Sequence, residues 1–135
     1  MKKISSEYVV GVGDINYGGH MGNDKALTVF SDARISFLKH FGLTELNIGD
    51  GLGIVVVEAN VKYKKEVFMH NVLKTDVWVS EVEGLKWIIS YETKRQEDNA
   101  VVFTGTTQML CFDYDKKKVS RIPEEFLSLV ISTKR

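Results

Sequence analysis

Between residues 14 and 24 the sequence gathers Asp14, Asn16, His20, Asn23 and Asp24 around the pair Gly18-Gly19, directly ahead of a helical pattern. An imidazole, a carboxylate and amides in one glycine-rich loop can activate a water and orient a carbonyl. Without side chains, Gly18 and Gly19 let the backbone approach a ligand closely. The N–H groups of the first helical turn have no partners within the helix and point toward whatever lies ahead of it. Together these groups describe a site for a carbonyl acquiring negative charge, with the donors drawn from Gly19 to Asn23. The residue types also fit blander roles: a loop histidine bonding backbone carbonyls, and a turn-forming Asx residue at Asp14.

No other constellation competes with this loop. There is no phosphate-loop lysine pattern, no G-x-S-x-G elbow and no pair of histidines at metal-ligand spacing, so no metal and no cofactor is expected. His40 and His70 are isolated and read as surface or packing residues. Cys111 is the single cysteine, which excludes an internal disulfide, and its apolar neighbours Met109, Leu110 and Phe112 make it a packing residue of a buried strand. Lys plus Arg and Asp plus Glu number 18 each, so no overall field draws the chain to nucleic acid. The basic clusters Lys62-Lys64-Lys65 and Lys116-Lys117-Lys118 are local. No apolar run reaches the length of a membrane span, and Met1-Lys2-Lys3 leads into no apolar signal segment. The reducing cytoplasm is the expected compartment.

The 135 residues suffice for one domain, 1–135, with a core of its own. Tyr8 to Val12 is β-prone, and the glycines, Asn and Asp of residues 13–23 then exclude regular structure. From about Asp24 the period becomes helical. Ala26, Phe30, Ala33, Phe37 and Phe41 form one stripe, widened by Leu27 and Leu38, with Asn23 or Asp24 as the cap and Gly42 as the stop. Strands are expected over residues 54–63, 72–82, 85–95 and 100–112, and a short closing helix over 123–130. In 85–95 the alternation places Leu85, Trp87, Ile89 and Tyr91 on one face. Consecutive tight turns imply an antiparallel sheet, and one amphipathic helix covers only one of its faces. The sheet edges and the uncovered face favour self-association.

The run Gly13-Asp14-Ile15-Asn16-Tyr17-Gly18-Gly19-His20-Met21-Gly22-Asn23, with Ser31-Asp32-Ala33-Arg34 downstream, resembles the signature of the 4-hydroxybenzoyl-CoA thioesterase-like hotdog family. Glu58-Ala59-Asn60-Val61-Lys62-Tyr63, Phe112-Asp113 and Ile122-Pro123-Glu124-Glu125 are similar to its later segments, so the resemblance spans nearly the whole chain. It implies an α+β hotdog fold, a long central helix wrapped by a curled antiparallel sheet of five or six strands. It further implies a homodimer or homotetramer joined edge to edge, with acyl-CoA bound where protomers meet. One position departs. Many relatives carry a catalytic carboxylate where this chain has Asn16, and an amide can neither accept the proton nor form an acyl-enzyme.

The expected activity is hydrolysis of an acyl-CoA thioester to a carboxylic acid and CoA. His20 or Glu58 is the general base, Asn16 positions the water or carbonyl, and Asp14 completes the catalytic set. Gly18, Gly19, Asn23, Lys62 and Lys64 are the substrate-binding candidates. Glu58, among Val55, Val56, Val57 and Ala59, is either a buried functional carboxylate or the outward member of an alternation. Two alternatives stand beside hydrolysis: an acyl-CoA binding protein without turnover, favoured by Asn16, and an enoyl-thioester hydratase.

Overall fold

A computed structural model describes residues 2–131. Strand β1 (Ile4–Val9) runs through a looped segment to helix α1 (Ala26–His40). Strands β2 (Gly53–Tyr63), β3 (Val72–Glu83), β4 (Lys86–Arg95), β5 (Ala100–Asp113) and β6 (Lys118–Ser120) follow, and helix α2 (Glu124–Ile131) comes last. All six strands join one antiparallel sheet in the order β1-β3-β4-β5-β2. Beyond the last β4 partner, Leu110, β6 pairs with Cys111 to Asp113 on the same side of β5. A long helix against one face of such a sheet is the hotdog arrangement expected from the sequence.

Strict alternation builds the face that receives the helix. Leu73, Thr75, Val77 and Val79 of β3, and Trp87, Ile89, Tyr91 and Thr93 of β4, are buried toward α1. From α1 they meet Val29, Phe30, Ala33, Phe37 and Leu38, a stripe at helical spacing. Phe30 lies flat on Tyr91, ring centroids 4.3 Å apart and planes 10° from parallel. Gly105 makes that possible. A Cβ there would collide with the Asn60 carbonyl and stand 2.6 Å from the Phe30 ring.

A polar chain crosses the same layer. Arg34, only 7% exposed, donates from Nε to Glu45 at 2.6 Å and from Nη1 to the Tyr91 hydroxyl at 3.1 Å. Since a guanidinium only donates, the Tyr91 hydrogen is left for Thr107 Oγ1, 2.8 Å away. A buried charge is tolerated when it is both paired and hydrogen-bonded, as Arg34 is. Cys111 is fully buried, as expected for a packing residue. Burial pushes its thiol up to about 11, against the pull of the Trp87 indole.

Several boundaries differ from the sequence reading. The first strand is Ile4–Val9 rather than residues 8–12, because pairing with Val72 to Val77 extends it backward. Val12 instead enters a 3₁₀ turn. Helix α1 begins at Ala26 after a second 3₁₀ turn, Asn23–Lys25, and neither Asn23 nor Asp24 makes a side-chain capping bond. Leu27 faces solvent while Val29 fills the stripe. Leu85 lies in the two-residue turn that the Glu83–Lys86 pairing closes, with Gly84 at φ 63°, and so leaves the apolar face of β4. Three-residue β6 has too little length for a period to be read.

Gly105→Ala is expected to lower stability by about 1–3 kcal/mol through overpacking, read as a drop in the urea midpoint at unchanged slope.

Candidate active site

The segment between β1 and α1 is pinned from three sides. Tyr8 donates its hydroxyl to both carboxylate oxygens of Asp14 (3.0 and 3.1 Å), and the Gly11 amide donates to one of them. Burial, then the Asp14 carboxylate, push the Tyr8 phenol up to about 12. The Asp14 carbonyl accepts from the Gly22 amide, which closes the base of the loop. Met21 donates its N–H to Val67 at 2.7 Å, joining the loop to the segment before β3. The third attachment is the Tyr63 hydroxyl, which donates to the Asn23 carbonyl at 2.5 Å.

Within this frame residues 16–20 form a closed turn. Asn16 accepts from Gly18 N–H through Oδ1 at 2.9 Å, an Asx turn. Its N–H donates to His20 and its carbonyl accepts from Gly19, whose φ of 82° suits a residue without Cβ. The turn folds the amide and the imidazole against Gly18. A Cβ at 18 would stand 3.0 Å from His20 Nε2 and 3.4 Å from Asn16 Oδ1. His20 Nδ1 lies 3.3 Å from the Met21 carbonyl, an acceptor only, so Nδ1 is the donor of this bond and in the neutral ring Nε2 is the acceptor.

Beside this turn lies a cavity of about 290 Å³. His20, Gly22 and Asn23 form one wall, and Ala26, Val67 and Phe103 supply apolar surface. Tyr63, Lys64, Lys65 and Glu66, from the end of β2 and the turn beyond it, complete the lining with Met21. The amides of Asn23 and Asp24, which open the 3₁₀ turn, have no backbone acceptor among the described residues. Neither Lys64 nor Lys65 has a carboxylate within ion-pair distance among those residues. The cavity therefore brings together the His20 imidazole, the residue whose amide opens the turn, Asn23, and positive charge around an apolar floor, with Asp24 next along the chain and outside the lining. Among the described residues no cluster of His, Cys, Asp or Glu has the geometry to hold a metal ion.

Of the residues singled out from sequence, His20, Asn23 and Lys64 line the cavity, and Asn16 and Gly18 support the His20 ring. Gly19 shapes the turn. Asp14 is turned away and committed to Tyr8 and Gly11. Glu58 is exposed on β2 and accepts from Gln108 Nε2 at 2.9 Å, on the opposite side of the sheet from α1. Lys62, also exposed on β2, is not part of the lining. Sequence reasoning missed Tyr63, Ala26, Val67 and Phe103. For Tyr63 a signal existed, an aromatic residue closing a β-run immediately before the lysine cluster.

The fold and this loop-to-helix site define a hotdog protein of the thioesterase class. The family model of the thioesterase-like superfamily matches residues 10–130, and the chain belongs to that superfamily. Solved structures agree on the fold. A 1,4-dihydroxy-2-naphthoyl-CoA thioesterase from Synechocystis superposes with a TM-score of 0.87 at 17% identity, over 99% of each chain. A DHNA-CoA thioesterase from Staphylococcus aureus gives 0.81 at 24% identity, over 96% of this chain and 83% of that one. A further Staphylococcus aureus protein, solved in complex with CoA, gives 0.82 at 16% identity, over 94% and 80%. No curated protein matches the chain. Among the described residues no helix is long and apolar enough to cross a membrane.

Gly18→Ala is expected to displace the imidazole that lies 3.0 Å from the added carbon. Turnover of a thioester should fall about 10²-fold while the thermal midpoint stays close to wild type, a split read by paired activity and melting assays.

Proposed function

We propose that the chain hydrolyses acyl-CoA thioesters to a carboxylic acid and CoA, with His20 as general base. The observation that carries this reading is the His20 ring, which lines the cavity with its Nδ1 held to the Met21 carbonyl at 3.3 Å. Nε2 takes a proton from water as the oxygen attacks the thioester carbonyl carbon. The carbonyl oxygen becomes an oxyanion, and the amides of Asn23 and Asp24 receive it, a role supported by their having no backbone acceptor among the described residues. The C–S bond then breaks, and the sulfur leaves as a thiolate, a good leaving group since ordinary thiols have a pKa of about 8.5. Asn16 supports the ring through Gly18 and offers its side-chain NH₂ to the water. Lys64 faces the anionic parts of the CoA ester.

Glu58 has weaker support as the base within one chain, because it projects from β2 toward Gln108 and away from the cavity. A non-hydrolytic acyl-CoA binding protein is the second reading. It draws on Asn16, and on Glu66 being the only carboxylate residue in the cavity lining. The homologous CoA-bound structure supports acyl-CoA as the ligand of either reading.

The protein is further proposed to act as a homodimer, or as a homotetramer of two such pairs, in the cytoplasm. Among the described residues strand β2 is paired only with β5, leaving its other edge free over 11 residues, with Val56 and Val57 exposed. An open edge of that length is a template for pairing with a second copy. Sedimentation equilibrium should give at least twice the 15.3 kDa chain mass, and a proline at Val57 should shift the protein toward monomer.

Thiol release from short, long and aromatic acyl-CoA esters tests the activity. His20→Ala should lose about 10²–10⁴-fold in kcat, Asn16→Ala less, and Glu58→Gln little. Esters bound without thiol release would move the protein to the binding class, and hydration of an enoyl-CoA without release would make it a hydratase.

A further inference from the structure

Tyr63 is the last residue of β2, and its ring is half-exposed beside the cavity. A hydroxyl in that position has free access to water, yet it donates to a backbone carbonyl, that of Asn23, at 2.5 Å. The same carbonyl also accepts the Ala26 amide as the helix begins. Two donors from different directions thus hold one oxygen. The Asn23 carbonyl and the Asp24 amide are the two ends of a single planar peptide group. Fixing the oxygen fixes the direction of the Asp24 N–H, and a bond to the oxygen polarises the group and strengthens the N–H as a donor. That N–H is one of the two in this turn without a backbone acceptor.

We propose that Tyr63 is a positioning residue: its hydroxyl orients the peptide group at the start of α1 whose N–H receives the oxyanion. The rest of the turn needs this help, since neither Asn23 nor Asp24 caps it through a side chain. Without Tyr63 the Asn23–Asp24 peptide retains only the Ala26 bond and can rock about it. The ground-state ester, whose carbonyl carries little charge, is affected less than the tetrahedral intermediate. The loss therefore falls on kcat rather than KM. This inference rests on the hydrolytic reading above and adds to it a residue from a strand distant in sequence from the loop.

Tyr114 provides an internal control. Its hydroxyl makes the same kind of bond, to the Ile54 carbonyl at 2.9 Å, at the opposite end of β2 and outside the cavity. Tyr63→Phe and Tyr114→Phe each remove one oxygen and one hydrogen bond from a partly exposed ring, so both are expected to fold.

The experiment measures kcat and KM of wild type, Tyr63→Phe and Tyr114→Phe on the best ester, with amide hydrogen exchange of residues 23–26 on the same samples. In Tyr63→Phe, kcat should fall about tenfold, within the range that misorientation of a single donor produces. KM should stay within about twofold, and the amides of 23–26 should exchange faster. Tyr114→Phe should match wild type in all three. An unchanged kcat in Tyr63→Phe overturns the proposal whatever the exchange shows, and so does an equal loss in Tyr114→Phe. If wild type releases no thiol from any ester, the hydrolytic reading fails separately. Exchange then decides the anchor alone, and unchanged protection in Tyr63→Phe overturns it.

Discussion

The contact of Phe30 with Tyr91 over Gly105 sets how far α1 stands from the sheet. A ring lying flat on another ring with no side chain beneath it brings the helix backbone close to β4 and β5. Because interiors are close-packed, that spacing propagates along the whole stripe, from Ala26 at one end to Leu38 at the other. Two turns further along α1 from its start, Arg34 reaches Tyr91 from the helix side and Thr107 completes the chain from the sheet side. The helix is thereby held against sliding as well as against lifting. Apolar burial sets the distance and the polar chain sets the register.

That fixed distance reaches the site through Ala26 and Phe103. Both line the cavity, and Phe103 packs edge-on against Phe30. A helix standing further from the sheet would carry Asn23 and Asp24 away from Tyr63 and break the bond to β2. The loop itself adds no regular ladder. It depends on being held by residues outside it: Tyr8 and Gly11 on Asp14, Val67 on Met21, and Tyr63 on Asn23. Precision at the site is thus borrowed from rigid elements, while the glycines supply only the freedom to take the required shape.

Much of this was legible in the sequence where the cause is local. The period of β4 was clear because one of its faces is buried along its whole length, and the helix stripe was clear for the same reason. The loop could be found because its glycines and polar residues are contiguous. Features decided by pairing were not legible. Strand β1 starts at Ile4 because β3 offers partners there, although Ser5-Ser6-Glu7 has little strand character of its own. The side on which Glu58 falls depends on a bulge between Val56 and Glu58 that breaks the period of two. Tyr63 and Phe103, register partners on β2 and β5, and Val67, in the segment between β2 and β3, reach the site through pairings that no spacing rule predicts. Asp14 was visible as a carboxylate in the right loop, but its commitment to Tyr8 depends on where β1 ends.

The bond between Tyr8 and Asp14 also separates two kinds of pH response. Folding raises the Tyr8 phenol from 10.0 to about 12, so the folded state favours its protonated form. Stabilisation from this bond is complete below pH 10, the phenol's unperturbed value, and is lost as the pH climbs through 12. Across the neutral range the Tyr8 hydroxyl keeps its proton for this bond. In strong alkali this mount of the loop loosens with a signature of its own: lost loop order together with the absorbance of tyrosinate.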